Sequence, residues 1–411
     1  MQKGDILEVT IQSVGMDGEG VAKLDGMVIF IPFTLVGEVV KCEIVFVKKS
    51  FARAKVIKLI KASKLRETPL CPHFRKCGGC DMQHIKYAEQ LKIKKENVQN
   101  CFKKYADLQV DINNVIESNE VYYYRNKAQF PVFEKNGKVC LGFFMEKSHK
   151  FVEINKCYLL GDWCEQICGV FLQVANNLKL TCYNEVAHKG LLRHLVLRKL
   201  NDSYSITIVV NSNKFDYTDI FVKELSKIGI KFSFYISYNT KQTNLIMCNA
   251  HHMYGEKDIE CDILGIKTFV NPMSFMQINE GVRDKIYSKV KELLNEGDNE
   301  VVIDAYSGVG VLTNIIAKDS KKVYGIEIVP EATDNANKLA QINGNSEKIV
   351  NICGDSAVEL PKLANKLNKE SGGNGNFIVI LDPPRKGCDE VVLQALLKAN
   401  PKKIIYISCN P

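Results

Sequence analysis

The chain has 411 residues, too many for one ordinary core, so two or three domains are expected. A hydrophobic share of 46% and a charged share of 25% fit a soluble globular protein. The start, MQKGDILEVT, carries no apolar signal run, and no stretch approaches 18 apolar residues. Export and membrane insertion are therefore not expected, and the expected location is the cytoplasm. In that reducing compartment the 15 cysteines read as free thiols, metal ligands or catalytic groups. Residues 1–104 hold 19 basic and 11 acidic side chains, whereas the remainder holds 36 of each. All of the net charge of +8 thus sits in the N-terminal quarter, the footprint of a module that binds a polyanion.

Residues 4–60 alternate short β-rich runs with glycine turns. ILEVTIQSV, GVAKL, MVIFIPF, EVVKCEIVFV and ARAKVIKLI are five candidate strands, with turns at Asp25-Gly26 and Val36-Gly37. Five such strands predict a small β-barrel of the OB type, a fold often used on nucleic acids. Residues 61–80 are irregular and carry cysteines. YAEQLKIKKENVQNCFKKY, 87–105, predicts a helix with Leu91, Val98, Cys101, Phe102 and Tyr105 near one face. From 121 to 260 short strands dominate, with one helix near 162–178, which predicts an antiparallel β-rich middle domain. His251 and His252 read as loop residues rather than ligands.

From about 265 strands alternate with helices: VVIDAY, VYGIEI, IVNIC, FIVILD and IIYIS. That rhythm predicts a parallel, doubly wound α/β sheet. The expected division is 1–60 for the barrel, 61–264 for the middle domain and 265–411 for the α/β domain.

In VVIDAYSGVG a buried strand enters a glycine turn and then a helix. Gly308 and Gly310 let the main chain approach a ligand closely. Glu327 ends the next strand, 23 residues after Asp304, the spacing that suits hydrogen bonds to ribose hydroxyls. GxGxxG is absent, so no pyrophosphate is required, and S-adenosylmethionine fits better than NAD. IVILDPPRKG runs a second buried strand into Asp382-Pro383-Pro384-Arg385, where two prolines stiffen an acidic loop at the ligand-binding edge of the sheet. IIYISCNP brings Cys409 to the same edge, where a thiolate could attack a ring carbon.

CPHFRKCGGC places Cys71, Cys77 and Cys80 within ten residues. A fourth ligand is needed. Zinc and an iron–sulfur cluster both accept four thiolates, and His84 offers zinc a different fourth ligand. Gly78 and Gly79 remove side chains where inorganic sulfide would approach.

Together, Asp-Pro-Pro-Arg, Ser-Cys-Asn-Pro, SFMQIN and CPHFRKCGGC resemble the RNA uracil-5-methyltransferase family over essentially the whole chain. GEGVAKLDGMVIFIPFTLVGE resembles a TRAM domain, which implies RNA binding. The nearest branch is the one with a TRAM domain and a 4Fe-4S cluster that modifies 23S ribosomal RNA. The resemblance implies that Gln277, Tyr306, Glu327 and Asp382 contact S-adenosylmethionine and that Cys409 is the nucleophile. It also implies that Cys71, Cys77, Cys80 and Cys157 hold the cluster, which moves the balance from zinc to iron–sulfur. The family continues past this motif to a glutamate base, so the base is expected beyond Pro411 and the α/β domain is expected to be incomplete. The expected fold class is a Rossmann-like methyltransferase domain behind a TRAM barrel and a β-rich iron–sulfur domain, acting as a monomer on RNA. A tRNA uridine methyltransferase and a non-catalytic RNA-binding protein are the alternatives. YRNKAQFPV, 124–132, and LLRHLVLRK, 191–199, are further candidates for RNA contact.

Overall fold

The computed structural model describes residues 1–15, 18–146, 148–294, 300–373 and 375–408. Cys409, expected as the nucleophile, lies outside the described residues, as do Asn410 and Pro411.

The first unit comprises β1 (Ile6–Thr10), β2 (Ser13–Val14), β3 (Gly20–Leu24), β4 (Met27–Ile31), β5 (Val39–Val47) and β6 (Phe51–Lys61). They form one sheet in the order β1-β5-β6-β4-β3-β2. β1 and β2 are consecutive in the chain yet lie at opposite edges of that order. The sheet therefore curls on itself into a barrel. Val9, Ile11, Ala22, Ile29, Ile31, Val40, Cys42 and Ile44 fill its interior. ILEVTIQSV is two strands rather than one. The chain turns a corner at buried Ile11, whose N–H donates to Glu38 O at 2.9 Å and whose carbonyl accepts from Gly37 N at 2.9 Å.

Helix α1 (Tyr87–Ala106) follows. Its one buried side chain is Ile93, which packs with Leu35 of the barrel and Ile85. The face expected from the sequence includes Phe102 and Tyr105. Both of these rings are exposed. A long lysine-rich helix needs only a narrow apolar contact, and position 93 supplies it.

The middle sheet contains β7 (Lys127–Lys135), β8 (Lys138–Phe144), β9 (Phe151–Glu153), β10 (Leu192–Leu200), β11 (Ser203–Val210), β12 (Lys231–Tyr238) and β13 (His251–Tyr254). Their order is β13-β12-β11-β10-β7-β8-β9. It is mixed rather than antiparallel, because β11 and β12 run parallel. Such a pair requires a crossover, and α3 (Thr218–Ser226) provides it, burying Phe221 and Leu225. Sequence pattern marks only the other helix, α2 (Asp162–Asn177). His251 and His252 pair with Ile236 and Tyr235 in an edge strand, not a loop. LLRHLVLRK lies in the central strand β10, with Arg193 and Arg198 buried, so these arginines do not face RNA. Arg193 donates to the carbonyls of Asn239 and Lys241, and Arg198 to that of Ser274.

A hairpin, β14 (Ile259–Ile263) and β15 (Ile266–Val270), straddles the boundary expected at 264. Its inward side chains pack with Leu200, Ile315 and Leu339. Next come α4 (Glu280–Leu294), β16 (Val301–Ala305), α5 (Val311–Ala317), β17 (Lys322–Glu327), α6 (Pro330–Ile342), β18 (Ile349–Cys353), α7 (Ser356–Glu370), β19 (Ile378–Leu381), α8 (Glu390–Ala399) and β20 (Lys403–Tyr406). The five strands form a wholly parallel sheet in the order β18-β17-β16-β19-β20, the Rossmann-like arrangement expected. The order reverses between β16 and β19. In open α/β sheets the carboxyl edge at such a switch point is where ligands bind.

Candidate functional site

Two strands flank the switch point. β16 ends in Ala305 and passes into Tyr306, while β19 ends in Leu381 and passes into Asp382. The turn after β16 is forced into unusual main-chain conformations. Tyr306 has φ +68°, Gly308 +57° and Gly310 +79°. A positive φ is strained for tyrosine, and such strain concentrates at functional turns. At Gly310 a side chain would also be crowded, since a Cβ there would lie 3.0 Å from the Ala336 Cβ.

Glu327 closes this turn from the neighbouring strand. Its carboxylate accepts from Gly308 N at 3.0 Å and from Val329 N at 2.8 Å. Its carbonyl accepts from Gly354 N at 2.9 Å. A carboxylate has about four acceptor positions, so two remain for ligand hydroxyls. This donor and acceptor set fits the ribose of a nucleoside cofactor. Beneath it, Asp304 is fully buried and accepts from Thr313 Oγ1 at 2.6 Å. Burial pushes its carboxyl up to about 7, overcoming the Thr313 hydrogen bond, with Asp382 and Glu327 adding like-charge repulsion. Burial also raises the Asp382 carboxyl. Tyr287 of α4 is raised to about 12, by burial first and then by the nearby Asp382 charge.

Across the switch point Cys388 lies in hydrogen-bonding reach of both the Tyr306 and Tyr406 hydroxyls. The structure thus gathers Tyr306, Glu327 and Asp382 along one sheet edge, as expected. Tyr406, at the end of β20, lies on the same edge. Tyr287, Thr313 and Cys388 were not singled out from the sequence, because nothing in their local spacing marks them.

Gln277 lies between β15 and α4, in a segment held from the middle domain. Asn126 Nδ2 donates to Gln277 O at 3.1 Å and to Glu280 Oε1 at 2.9 Å. Asn126 N donates to Ile278 O at 3.0 Å, and Arg125 bridges Asn279. YRNK therefore packs between domains at this point.

Cys71, Cys77, Cys80 and Cys157 line a single cavity of about 300 Å³. His84 does not. It is buried beside Phe33 and Phe74, and neither ring nitrogen has a hydrogen-bond partner among the described residues. Burial raises the thiols of Cys77 and Cys157 and takes Cys80 up to about 11, so these groups ionise only against a strong positive charge. Arg125, Lys127 and Lys156 line the same cavity. Desolvation lowers Lys127 to about 8, with Arg198 adding to it. Lys156 is already paired with Asp162 at 3.1 Å and Glu165 at 2.9 Å, which leaves Arg125 and Lys127 as the cations beside the four thiols. The two glycines have different roles. Gly79 lines the cavity, whereas Gly78 packs on Glu146, whose N would lie 2.7 Å from an added Cβ. The expected role beside inorganic sulfide thus does not describe Gly78. Among the described residues no group of three or more His, Cys, Asp or Glu side chains is gathered so as to hold a metal ion. The fourteen cysteines among them are free thiols.

Residues 1–57 match the TRAM domain, and residues 86–411 match the tRNA (uracil-5-)-methyltransferase family. An uncharacterised RNA methyltransferase of Clostridium acetobutylicum is 37% identical, covering all of this chain and 89% of its own length. A second, of Halalkalibacterium halodurans, is 34% identical with the same coverage. Among solved structures, the Pyrococcus abyssi tRNA (uracil-54, C5)-methyltransferase in complex with S-adenosyl-L-homocysteine shares the fold. It has a TM-score of 0.75 at 24% identity, covering 98% of this chain and 90% of that one.

Proposed function

Starting from the chain's membership of the tRNA (uracil-5-)-methyltransferase family, S-adenosylmethionine-dependent enzymes that methylate RNA, we propose that it forms 5-methyluridine in 23S ribosomal RNA. The observation that carries the chemistry is the sheet edge, where Tyr306, Glu327 and Asp382 meet at the switch point. Glu327 would hold ribose hydroxyls, with Gly308 and Gly310 admitting the nucleoside. Tyr306, Asp382 and Gln277 would complete its walls. The bound cofactor supplies an electrophilic methyl group on a sulfonium.

The protein's task is to make uracil C5 nucleophilic. The Cys409 thiolate adds to C6, and the ring electrons move to C5 and O4 as an enolate. After C5 has gained the methyl, a base takes the C5 proton and the C6–S bond breaks, returning the thiolate. A paired base is unreachable, so the uridine is flipped out of its stack first.

Cys71, Cys77, Cys80 and Cys157 would hold a 4Fe-4S cluster. What supports this reading is the one cavity that all four thiols line. The cluster's role is structural, since it sits in a different domain from Cys409. The chain would act as a cytoplasmic monomer. Among the described residues no helix is long and apolar enough to cross a membrane.

The second reading is tRNA as substrate. It is favoured by the fold match to a protein named for tRNA uridine 54, which extends over the barrel as well. Labelled S-adenosylmethionine incubated separately with 23S rRNA and with tRNA decides between them. Label in rRNA alone supports the proposal, and label in tRNA alone overturns it. Label in neither leaves the non-catalytic RNA binder. RNA carrying 5-fluorouridine tests the nucleophile, because the fluorine cannot leave as a proton and the adduct accumulates. Cys409→Ala is expected to abolish the adduct while RNA still binds.

A further inference from the structure

Residues 123–126 are hydrogen-bonded to two other segments at once. On one side Tyr123 N donates to Tyr158 O and Arg125 N to Leu159 O, both at 2.9 Å, directly after Cys157. On the other side Asn126 N donates to Ile278 O at 3.0 Å, and Arg125 makes an antiparallel bridge with Asn279. The same four residues therefore hold the segment that follows one thiol of the cavity and the segment that follows Gln277. Tyr123 enters this ladder with φ +59°, a strained conformation for tyrosine that persists only where its neighbours over-determine it.

One side chain of the ladder reaches the four-thiol cavity. Arg125 lines it together with Cys157 and with Ile278, the residue next to Gln277. The guanidinium is near enough to Cys157 for its charge to act on that thiol. Arg125 is half-buried, and among the described residues its side chain has no carboxylate partner. A charge withdrawn from water without a counter-charge is costly. Four thiolates outweigh the positive charge of a 4Fe-4S core, and that of a zinc ion too, so filling the cavity supplies the counter-charge in either case. Four neutral thiols supply none, and water then competes for the guanidinium.

We propose that Arg125 is a positioning residue for cofactor binding, and that it makes the placing of Gln277 depend on whether the four-thiol cavity is filled. A filled cavity draws the guanidinium inward. The main chain of Arg125 passes that constraint across the ladder to residues 277–279. The inference rests on the cluster reading above and deepens it, because it directs the structural role of the filled cavity at the cofactor segment.

The test measures S-adenosylhomocysteine affinity by calorimetry on the full chain, iron-loaded and after iron removal by a chelator, for the wild type and for Arg125→Ala. The substitution leaves every main-chain bond of the ladder in place and so isolates the guanidinium. No RNA is present, so a contact between Arg125 and RNA does not move the readout. Loaded wild type is expected to bind about tenfold more tightly than stripped wild type, an ordinary size for coupling between two sites. In Arg125→Ala the two forms are expected to agree within about twofold. Arg125→Lys, which keeps the charge, is expected to restore most of the difference. Equal affinity of loaded and stripped wild type overturns the proposal, and so does a difference of about tenfold kept in Arg125→Ala. Loss of iron from Arg125→Ala overturns it too, since the side chain would then hold the cluster rather than respond to it. Where stripped wild type unfolds, the loaded proteins decide: Arg125→Ala, with full iron and an unchanged melting temperature, must bind about tenfold more weakly than wild type. Wild type that binds S-adenosylhomocysteine but is purified without iron defeats the cluster reading as well, which separates the two failures.

Discussion

Asn126, in the central domain, donates a side-chain hydrogen bond to the main-chain oxygen of Gln277, 3.1 Å away. The two residues belong to different sheets' territories, and neighbouring Arg125 lines the four-cysteine cavity. The cavity wall and the segment bearing Gln277 are thus one continuous support. Asn126→Ala removes two partly buried hydrogen bonds and leaves Glu280 Oε1 and Gln277 O without that donor. We expect it to weaken S-adenosylhomocysteine binding by roughly tenfold, measured by calorimetry. The amides of 271–280 should also lose hydrogen-exchange protection. Unchanged affinity and protection together would show that Gln277 is held by other means.

Glu327 is expected to be the strongest single polar anchor for the nucleoside. Glu327→Gln exchanges one carboxylate oxygen for an amide donor that cannot accept from Gly308 or a ribose hydroxyl. Cofactor Kd is predicted to rise about tenfold, the cost of a charge-assisted hydrogen bond. Glu331→Gln, exposed on α6, serves as the control and should bind normally.

Cys157 distinguishes the four-thiol assignment from one using the 71–80 segment alone. On the proposed cluster assignment, Cys157→Ser is predicted to lose most of the iron and the visible absorption that the wild-type protein should carry. Cys164→Ser should keep both, although that thiol is 4.0 Å from Cys168 on the adjacent helix α2. Equal iron in the two variants would remove Cys157 from the ligand set.

Asp304 gives a pH signature. Its folded carboxyl is raised to about 7 by burial, while an unfolded aspartate titrates near 3.9. Between these values the folded state binds more protons than the unfolded one, so stability falls as pH rises from about 4 to 7. The loss amounts to roughly 4 kcal/mol once both states are ionised. Asp304→Asn keeps an acceptor for Thr313 and has no proton to lose. Denaturant midpoints at pH 5 and pH 8 should therefore differ more for the wild type than for the variant. Parallel pH dependence in the two proteins would contradict a buried, raised Asp304.

Local pattern alone determined much of this protein. A period of two with glycine turns marked the barrel, and continuous apolar runs before the Ser-Gly-Val-Gly and Asp-Pro-Pro turns marked parallel strands. Strands buried on both faces read as such runs. Motif chemistry likewise placed Glu327 and Asp382 at one edge, because residues at the carboxyl ends of parallel strands must share it, whereas Tyr306 came from the family resemblance. What depended on distant contacts was not legible. The short helix α3, the parallel β11–β12 pair and the packing of α1 through Ile93 follow from which neighbour buries them. Arg193 and Arg198 look like surface cations in a linear reading. Only the fold supplies the carbonyls of Asn239, Lys241 and Ser274 that let a central strand bury them. The cavity combines both: three of its cysteines lie within ten residues and the family resemblance supplied Cys157, while only the fold brings that thiol, 77 residues beyond Cys80, to the same cavity and seats the His84 imidazole beside two phenylalanines.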